Sequence, residues 1–265
     1  MLNNHSGTRW TRLGPVLAAT AVLLLAGCVS TSERVFTEEA SPQKALERRV
    51  GLARQYIGEG NWDSAKRNLE LAAEIDPHNP EVHEAFALVY QSTGEYELAE
   101  EHFKRALRLD SGFSRCRNNY AAFLFSQERY EEAEAELERV VKDTLYSARP
   151  RAFVNLGLCR QKLFDPQGAE EAFVRALSMD RTNRIALLEV ATIRFNAEDY
   201  LAAEEYYATY RSVARQPSAR GLWLGVRLAR ATGDADAEAS YVLALSNLYP
   251  DSAEYQAYRR SRDSE

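Results

Sequence analysis

The chain is poor in cysteine, methionine and glycine, with three Cys, two Met and 13 Gly among 265 residues. Three thiols cannot close a disulfide framework. So little glycine, with eight prolines, excludes a collagen-like or mucin-like chain. No stretch is rich in Lys and Arg and the formal charge is −6, so no nucleic-acid partner is expected. No apolar run reaches the roughly 20 residues that a membrane-crossing helix needs. There is no Gly-rich phosphate loop, no G-x-S-x-G elbow, no H-E-x-x-H and no C-x-x-C. The four histidines, His5, His78, His83 and His102, form no ligand spacing, and His83 and His102 read as surface positions. Hence no enzyme activity, metal, cofactor or small-molecule substrate is expected. What is present is a globular balance, 45% apolar and 27% charged, long enough for a core that grows by repetition.

The amino-terminal segment is organised as an export signal. Arg9 and Arg12 precede an apolar run, Val16 to Ala26, of the length of a signal-peptide core. The run ends Leu25-Ala26-Gly27-Cys28, small residues followed at once by a thiol. This resembles the lipobox of a bacterial lipoprotein. The resemblance implies removal of residues 1–27, diacylation of Cys28 and acylation of its new amine. More than one acyl chain gives stable anchoring, at about 0.8 kcal/mol per buried methylene. Val29 follows the cysteine, where an Asp would imply retention in the inner membrane. The implied location is therefore the periplasmic face of the outer membrane, held there by lipid alone. Without Arg9 and Arg12 the formal charge falls by two from −6, so anionic lipid adds no attraction. Residues 28–44 lack a helical apolar stripe and read as a lipidated flexible tether.

The body repeats. Gly60-Asn61-Trp62-Asp63-Ser64-Ala65 returns as Gly94-Glu95-Tyr96-Glu97-Leu98-Ala99 and as Glu128-Arg129-Tyr130-Glu131-Glu132-Ala133, with weaker copies ending at Ala169, Ala203 and Ala237. Four of the five alanine intervals are 34 residues and one is 36. The pattern is similar to the tetratricopeptide repeat, TPR. It implies an all-α fold, a right-handed α-solenoid of about six repeats spanning 45–258. The repeats fall near 46–79, 80–113, 114–147, 150–183, 184–217 and 218–251. Each is two antiparallel amphipathic helices, A then B, with small residues such as Ala53, Ala99 and Gly157 where helices approach and Phe103 or Phe173 filling the space between. Two residues near Ala148 and Arg149 are extra, and Pro166 replaces an aromatic, so local irregularity is expected there. Asp251 to Tyr258 reads as a short terminal helix and 259–265 as a polar tail. Cys116 and Cys159 stand seven positions out of step on successive A helices, about 10 Å along the axis, beyond disulfide reach, and read as buried thiols. Paired glutamates early in B helices suit the positive end of the helix dipole.

In arrays of this kind the A helices line the concave face, with positions two, five, nine and twelve directed into it. Here those positions turn from charged in the first two repeats to apolar in repeats three to five. A partner-binding groove is expected, with Phe125, Val154, Leu158, Ile185, Leu188 and Phe195 as its apolar strip and Arg115, Arg151 and Asn118 orienting a bound peptide; the alternative is that these residues pack against the neighbouring A helix or the terminal helix.

A lipobox followed by six such repeats, with Asn155-Leu156-Gly157, Ala169-Glu170-Glu171-Ala172-Phe173 and the ending Leu248-Tyr249-Pro250-Asp251-Ser252-Ala253-Glu254-Tyr255, resembles the type IV pilus biogenesis and stability lipoprotein family, PilF/PilW. The resemblance implies a pilotin: a protein that binds the secretin subunit of the pilus pore and promotes its outer-membrane targeting and multimerisation, and so pilus biogenesis and twitching motility. Two other readings stand beside it. One is a general envelope scaffold of β-barrel assembly or peptidoglycan synthesis; the other is an accessory of a polysaccharide-export or glycosyl-transfer enzyme.

Overall fold

The computed structural model describes residues 41–263. The expected signal peptide, Cys28 and nearly all of the expected tether lie outside the described residues. Thirteen helices and no strand occur among the described residues. In chain order they are α1 (Pro42–Gly58), α2 (Trp62–Ile75), α3 (Pro80–Thr93), α4 (Tyr96–Leu109), α5 (Ser114–Ser126), α6 (Tyr130–Val140), α7 (Arg149–Lys162), α8 (Pro166–Met179), α9 (Arg184–Asn196), α10 (Tyr200–Val213), α11 (Ala219–Thr232), α12 (Ala235–Leu248) and α13 (Ala253–Asp263). Odd-numbered helices from α1 to α11 are the A helices and even-numbered ones to α12 the B helices, giving six hairpins and a terminal helix. The fold is an all-α repeat solenoid.

Two of the expected boundaries move. Helix α1 begins at Pro42, inside the segment read as tether, because proline is accepted in a first helical turn. Helix α13 runs to Asp263, through most of what was read as a polar tail; Arg260 and Arg262 lie in its last turn, where cations suit the dipole.

The hairpin turns show how sequence sets local structure. Each A helix ends on a left-handed residue followed by a helix-start residue. In three repeats the left-handed residue is glycine: Gly60, Gly94 and Gly233. In the other three it is Glu128, Phe164 and Glu198, each at φ near +60°. A non-glycine there costs about 1 kcal/mol or more. The same closing bond holds both kinds of turn, Asn61 N to Tyr56 O at 2.9 Å and Asp165 N to Arg160 O at 2.9 Å. Side chains then cap the next helix: Asn61 accepts from Ser64 N, Asp165 from Gly168 N and Asp234 from Ala237 N. Pro166 fits as a first-turn residue, so repeat four is regular at the point where distortion was expected. The 36-residue interval is absorbed elsewhere. Helix α6 is 11 residues long where the other B helices have 14, and the longer connection after it is tied down by Arg149 Nε donating to Val141 O at 2.7 Å.

Small residues on A helices face large ones on B helices. Ala53, Ala87 and Ala121 on A helices are fully buried, as are Leu69, Phe103 and Phe173 on B helices; Ala65, Ala99 and Ala133, fully buried as well, are the small residues of the B helices. A Cβ added to Gly157 would stand 2.6 Å from the Phe173 ring, and one added to Gly225 would stand 2.2 Å from the Tyr207 hydroxyl. Each fully buried Leu or Phe contributes about 1.5–3 kcal/mol. Consecutive A helices touch, α3 with α5, α5 with α7 and α9 with α11, whereas each B helix meets the next A helix instead. Closer spacing on the A side bends the stack toward that side and makes it the inner face.

Candidate partner-binding face

The expected groove residues separate into three groups. Phe125 and Leu158 come together. They line a pocket of about 80 Å³ between α5 and α7, with Ala121, Ala122, Asn155, Leu137 and Cys159. Three small side chains, Ala121, Ala122 and Cys159, form part of its wall. Phe125 is half-buried and meets Tyr130 edge-on at 5.2 Å. Phe195 stays half-buried on the same line of helices, 5.4 Å from the Tyr200 ring.

Asn118, Val154 and Leu188 form the second group, and here the expectation is corrected. They are 4%, 3% and 7% exposed, so none is available to a peptide. All three occupy position five of their repeat, as do the buried Val50, Glu84 and Leu222. That position is consumed where one A helix packs on the next. Asn118 accepts a hydrogen bond from Asn155 at 3.2 Å, a contact between repeats three and four.

The arginines form the third group. Arg115 is turned inward: it lies 3.3 Å from Glu81 and 3.4 Å from Glu84 and stacks on Phe113 at 4.9 Å. It is an ion-pair partner of the repeat-two carboxylates, with 41% of its side chain exposed. Arg151 is exposed and has neither a carboxylate nor a hydrogen-bond acceptor among the described residues.

Several features escaped the sequence reading. A polar ladder ties A helices together. Glu84 is fully buried and held by Arg54 at 2.6 Å and Asn119 at 2.8 Å. Glu189, 3% exposed, takes both guanidinium nitrogens of Arg220 and the amide of Gln161. His83 and His102, read as surface residues, face each other with Nδ1 atoms 3.2 Å apart, His83 being buried and His102 half-buried. Burial, with His83 beside it, pushes His102 down to about 4; burial also lowers His83. The aromatic walls of Phe86 and Tyr90, each about 5 Å from the His102 ring, explain the desolvation. Cys116 and Cys159 are free buried thiols, and burial pushes Cys159 up to about 12, away from the thiolate form.

Charge is divided between the two layers. In repeats three to six the A helices carry eleven Arg or Lys against one carboxylate, Glu189. The matching B helices carry eleven carboxylates against three Arg. Many pairs bridge the layers, among them Arg117 with Glu136, Arg160 with Glu134 and Arg194 with Glu170. Among the described residues there is no group of three or more His, Cys, Asp or Glu that could hold a metal ion.

A stack of helical hairpins with an inner face of this kind defines a TPR scaffold. Residues 33–140 match the model of the family described as anaphase-promoting complex, cyclosome, subunit 3, and residues 150–183 match that of the tetratricopeptide repeat. The chain is 38% identical over 251 residues to the type IV pilus assembly protein PilF of Pseudomonas aeruginosa, covering 93% of this chain and 99% of that protein. A solved structure from a functional characterisation of Pseudomonas aeruginosa PilF superposes with a TM-score of 0.79 at 39% identity, over 83% of this chain and 99% of the other. The crystal structure of PilW, described as a widely conserved type IV pilus biogenesis factor, does so with a TM-score of 0.71 at 27% identity, over 81% and 98%. The chain belongs to the PilF/PilW family of type IV pilus biogenesis TPR proteins.

Proposed function

We propose that this protein is an outer-membrane lipoprotein, anchored through Cys28, that binds the type IV pilus secretin and promotes its targeting and multimerisation. It acts as a scaffold with no catalytic role. The observation that carries the reading is the pocket beneath Phe125 and Leu158: an apolar recess on the inner face of a PilF-family solenoid, sized for one aliphatic side chain. Support for the anchor comes from Leu25-Ala26-Gly27-Cys28, which resembles a lipobox. A lipid tether would hold the repeats where secretin protomers insert and raise their effective concentration.

Leu158 is half-buried and lines the pocket, so a carboxylate there spoils the recess without entering the core. Leu158→Glu is expected to abolish co-purification of the secretin while the melting temperature stays within a few degrees. Deleting the protein is expected to remove heat-stable secretin multimers and twitching. Normal multimers in the deletion strain, or retained co-purification by a folded Leu158→Glu protein, would refute the reading.

A further inference from the structure

The division of charge leaves a remainder on the inner side. Most A-helix arginines of repeats three to six are neutralised by B-helix carboxylates or by the Glu84 and Glu189 ladder. Arg151, Arg184 and Arg227 are not: none has a carboxylate or a hydrogen-bond acceptor among the described residues. Arg227 is the most telling. It stands where repeats two to five place Val89, Phe123, Cys159 and Ile193, all apolar or thiol and mostly buried, and repeat one the exposed Gln55. Its guanidinium lies 4.5 Å over the Phe195 ring and 5.9 Å from Trp223, and its Nε is buried with no partner. Burial and the neighbouring Arg220 disfavour its charged form, while Arg220 itself is spent on Glu189. A half-buried cation without a counter-ion is an expensive arrangement in a folded chain. Nearby, Arg184 and the exposed Ile185 border an open recess that is also lined by Tyr210, Gln216 and the paired Glu189 and Arg220.

We propose that the inner face of repeats four to six recognises an acidic protein segment, with aliphatic side chains seated between the A helices and carboxylates meeting Arg151, Arg184 and Arg227. This rests on the reading of the inner face as a partner-binding surface and names the chemistry of that partner. Bound carboxylates supply the missing counter-ions, and the Phe195 and Trp223 rings hold the Arg227 plane in place for a two-point contact. The outer face, rich in Glu, repels the same segment, so charge selects the side on which it lands.

The test uses the full-length protein in detergent and a labelled peptide of about 15 residues with alternating Asp and Leu, beside its Lys–Leu counterpart. The Asp–Leu peptide is expected to bind and the Lys–Leu peptide to fail. Raising salt from about 0.05 to 0.5 M is expected to weaken binding about tenfold. Arg227→Met keeps the bulk over Phe195; it is expected to lower affinity about tenfold and to flatten the salt response with the melting temperature unchanged or raised. Arg184→Gln, at an exposed position, is expected to lower affinity in the same direction. Equal binding of the two peptides, or full affinity in both variants, would overturn the inference. Peptides tiling the periplasmic part of the secretin then separate the two claims. If acidic–aliphatic peptides bind but no secretin peptide competes, the charge inference stands and the secretin reading falls. If the secretin peptides that bind are neutral or basic, the secretin reading stands and this inference falls.

Discussion

At the junction of repeats three and four a recess stays open beside the inner-face phenylalanine Phe125, while at the junction of repeats five and six the space beside the equivalent Phe195 is filled. The positions are equivalent. In the first, Ala122 and Cys159 line the recess beside Phe125 and Leu158. In the second, Trp223 and Arg227 occupy the corresponding space against Phe195, and two tyrosines press on two glycines, Tyr207 on Gly225 and Tyr210 on Gly221. A repeat architecture fixes where side chains meet but leaves their volumes free. At this one position the first junction is therefore a receptacle and the second a joint, on the same backbone plan.

The sharpest way to break the contrast is at the tight junction. Gly225→Ala places a methyl group 2.2 Å from the buried Tyr207 hydroxyl and is expected to cost about 2–3 kcal/mol in chemical denaturation. Gly51→Ala, where nothing lies within 4 Å, is expected to be neutral or to stabilise by about 0.5–1 kcal/mol. Similar effects of the two substitutions would remove the distinction.

A titratable contact extends the comparison to repeat two. His102 is held near 4 in the folded state, against about 6.5 unfolded. Below pH 6.5 the unfolded chain binds the proton more readily, so stability is expected to fall as pH drops from about 6.5 toward 4. Allowing for solvent screening, the loss is about 1–2 kcal/mol. His102→Phe is expected to flatten the melting temperature over that interval.

Cys159→Leu fills the open junction. It is expected to change stability by less than about 1.5 kcal/mol in either direction. Partner capture is expected to drop at least as far as in Leu158→Glu, read by co-purification. The smallest effect belongs to the strained turn between α7 and α8. Phe164→Gly relieves a left-handed phenylalanine that is 92% exposed. The gain is expected to stay below about 1 kcal/mol, because glycine also loosens the unfolded chain.

The repeat register was readable in the chain because steric demands recur: Ala65, Ala99, Ala133, Ala169 and Ala203 are all fully buried. Phe125 and Leu158 were readable for the same reason, as apolar residues at positions the solenoid turns inward. At position five the alternative reading, packing against the neighbouring A helix, is the one that holds, and a single repeat does not reveal how closely its neighbour approaches. Asn118, Val154 and Leu188 look free in one hairpin and are covered in the stack. Arg115 differs, since its partners, Glu81 and Glu84, lie one repeat away. The histidine pair was hidden because surface-type spacing on two separate helices says nothing of their mutual facing. Arg227 carried a usable signal, a charge where four preceding repeats place uncharged residues, and comparing the copies column by column would have exposed it.

Helix α13 packs on α11, the last inner helix, on which Leu222, Val226 and Ala229 are all buried. Tyr258 and Ser261 of α13 both meet Arg230. A stack of like units has an end that is a mould for one unit more. These 11 residues fill that mould with something that is not a hairpin. A chain stopped before Ala253 would leave that side of α11, with Arg230, uncovered. The terminal helix closes that end of the stack.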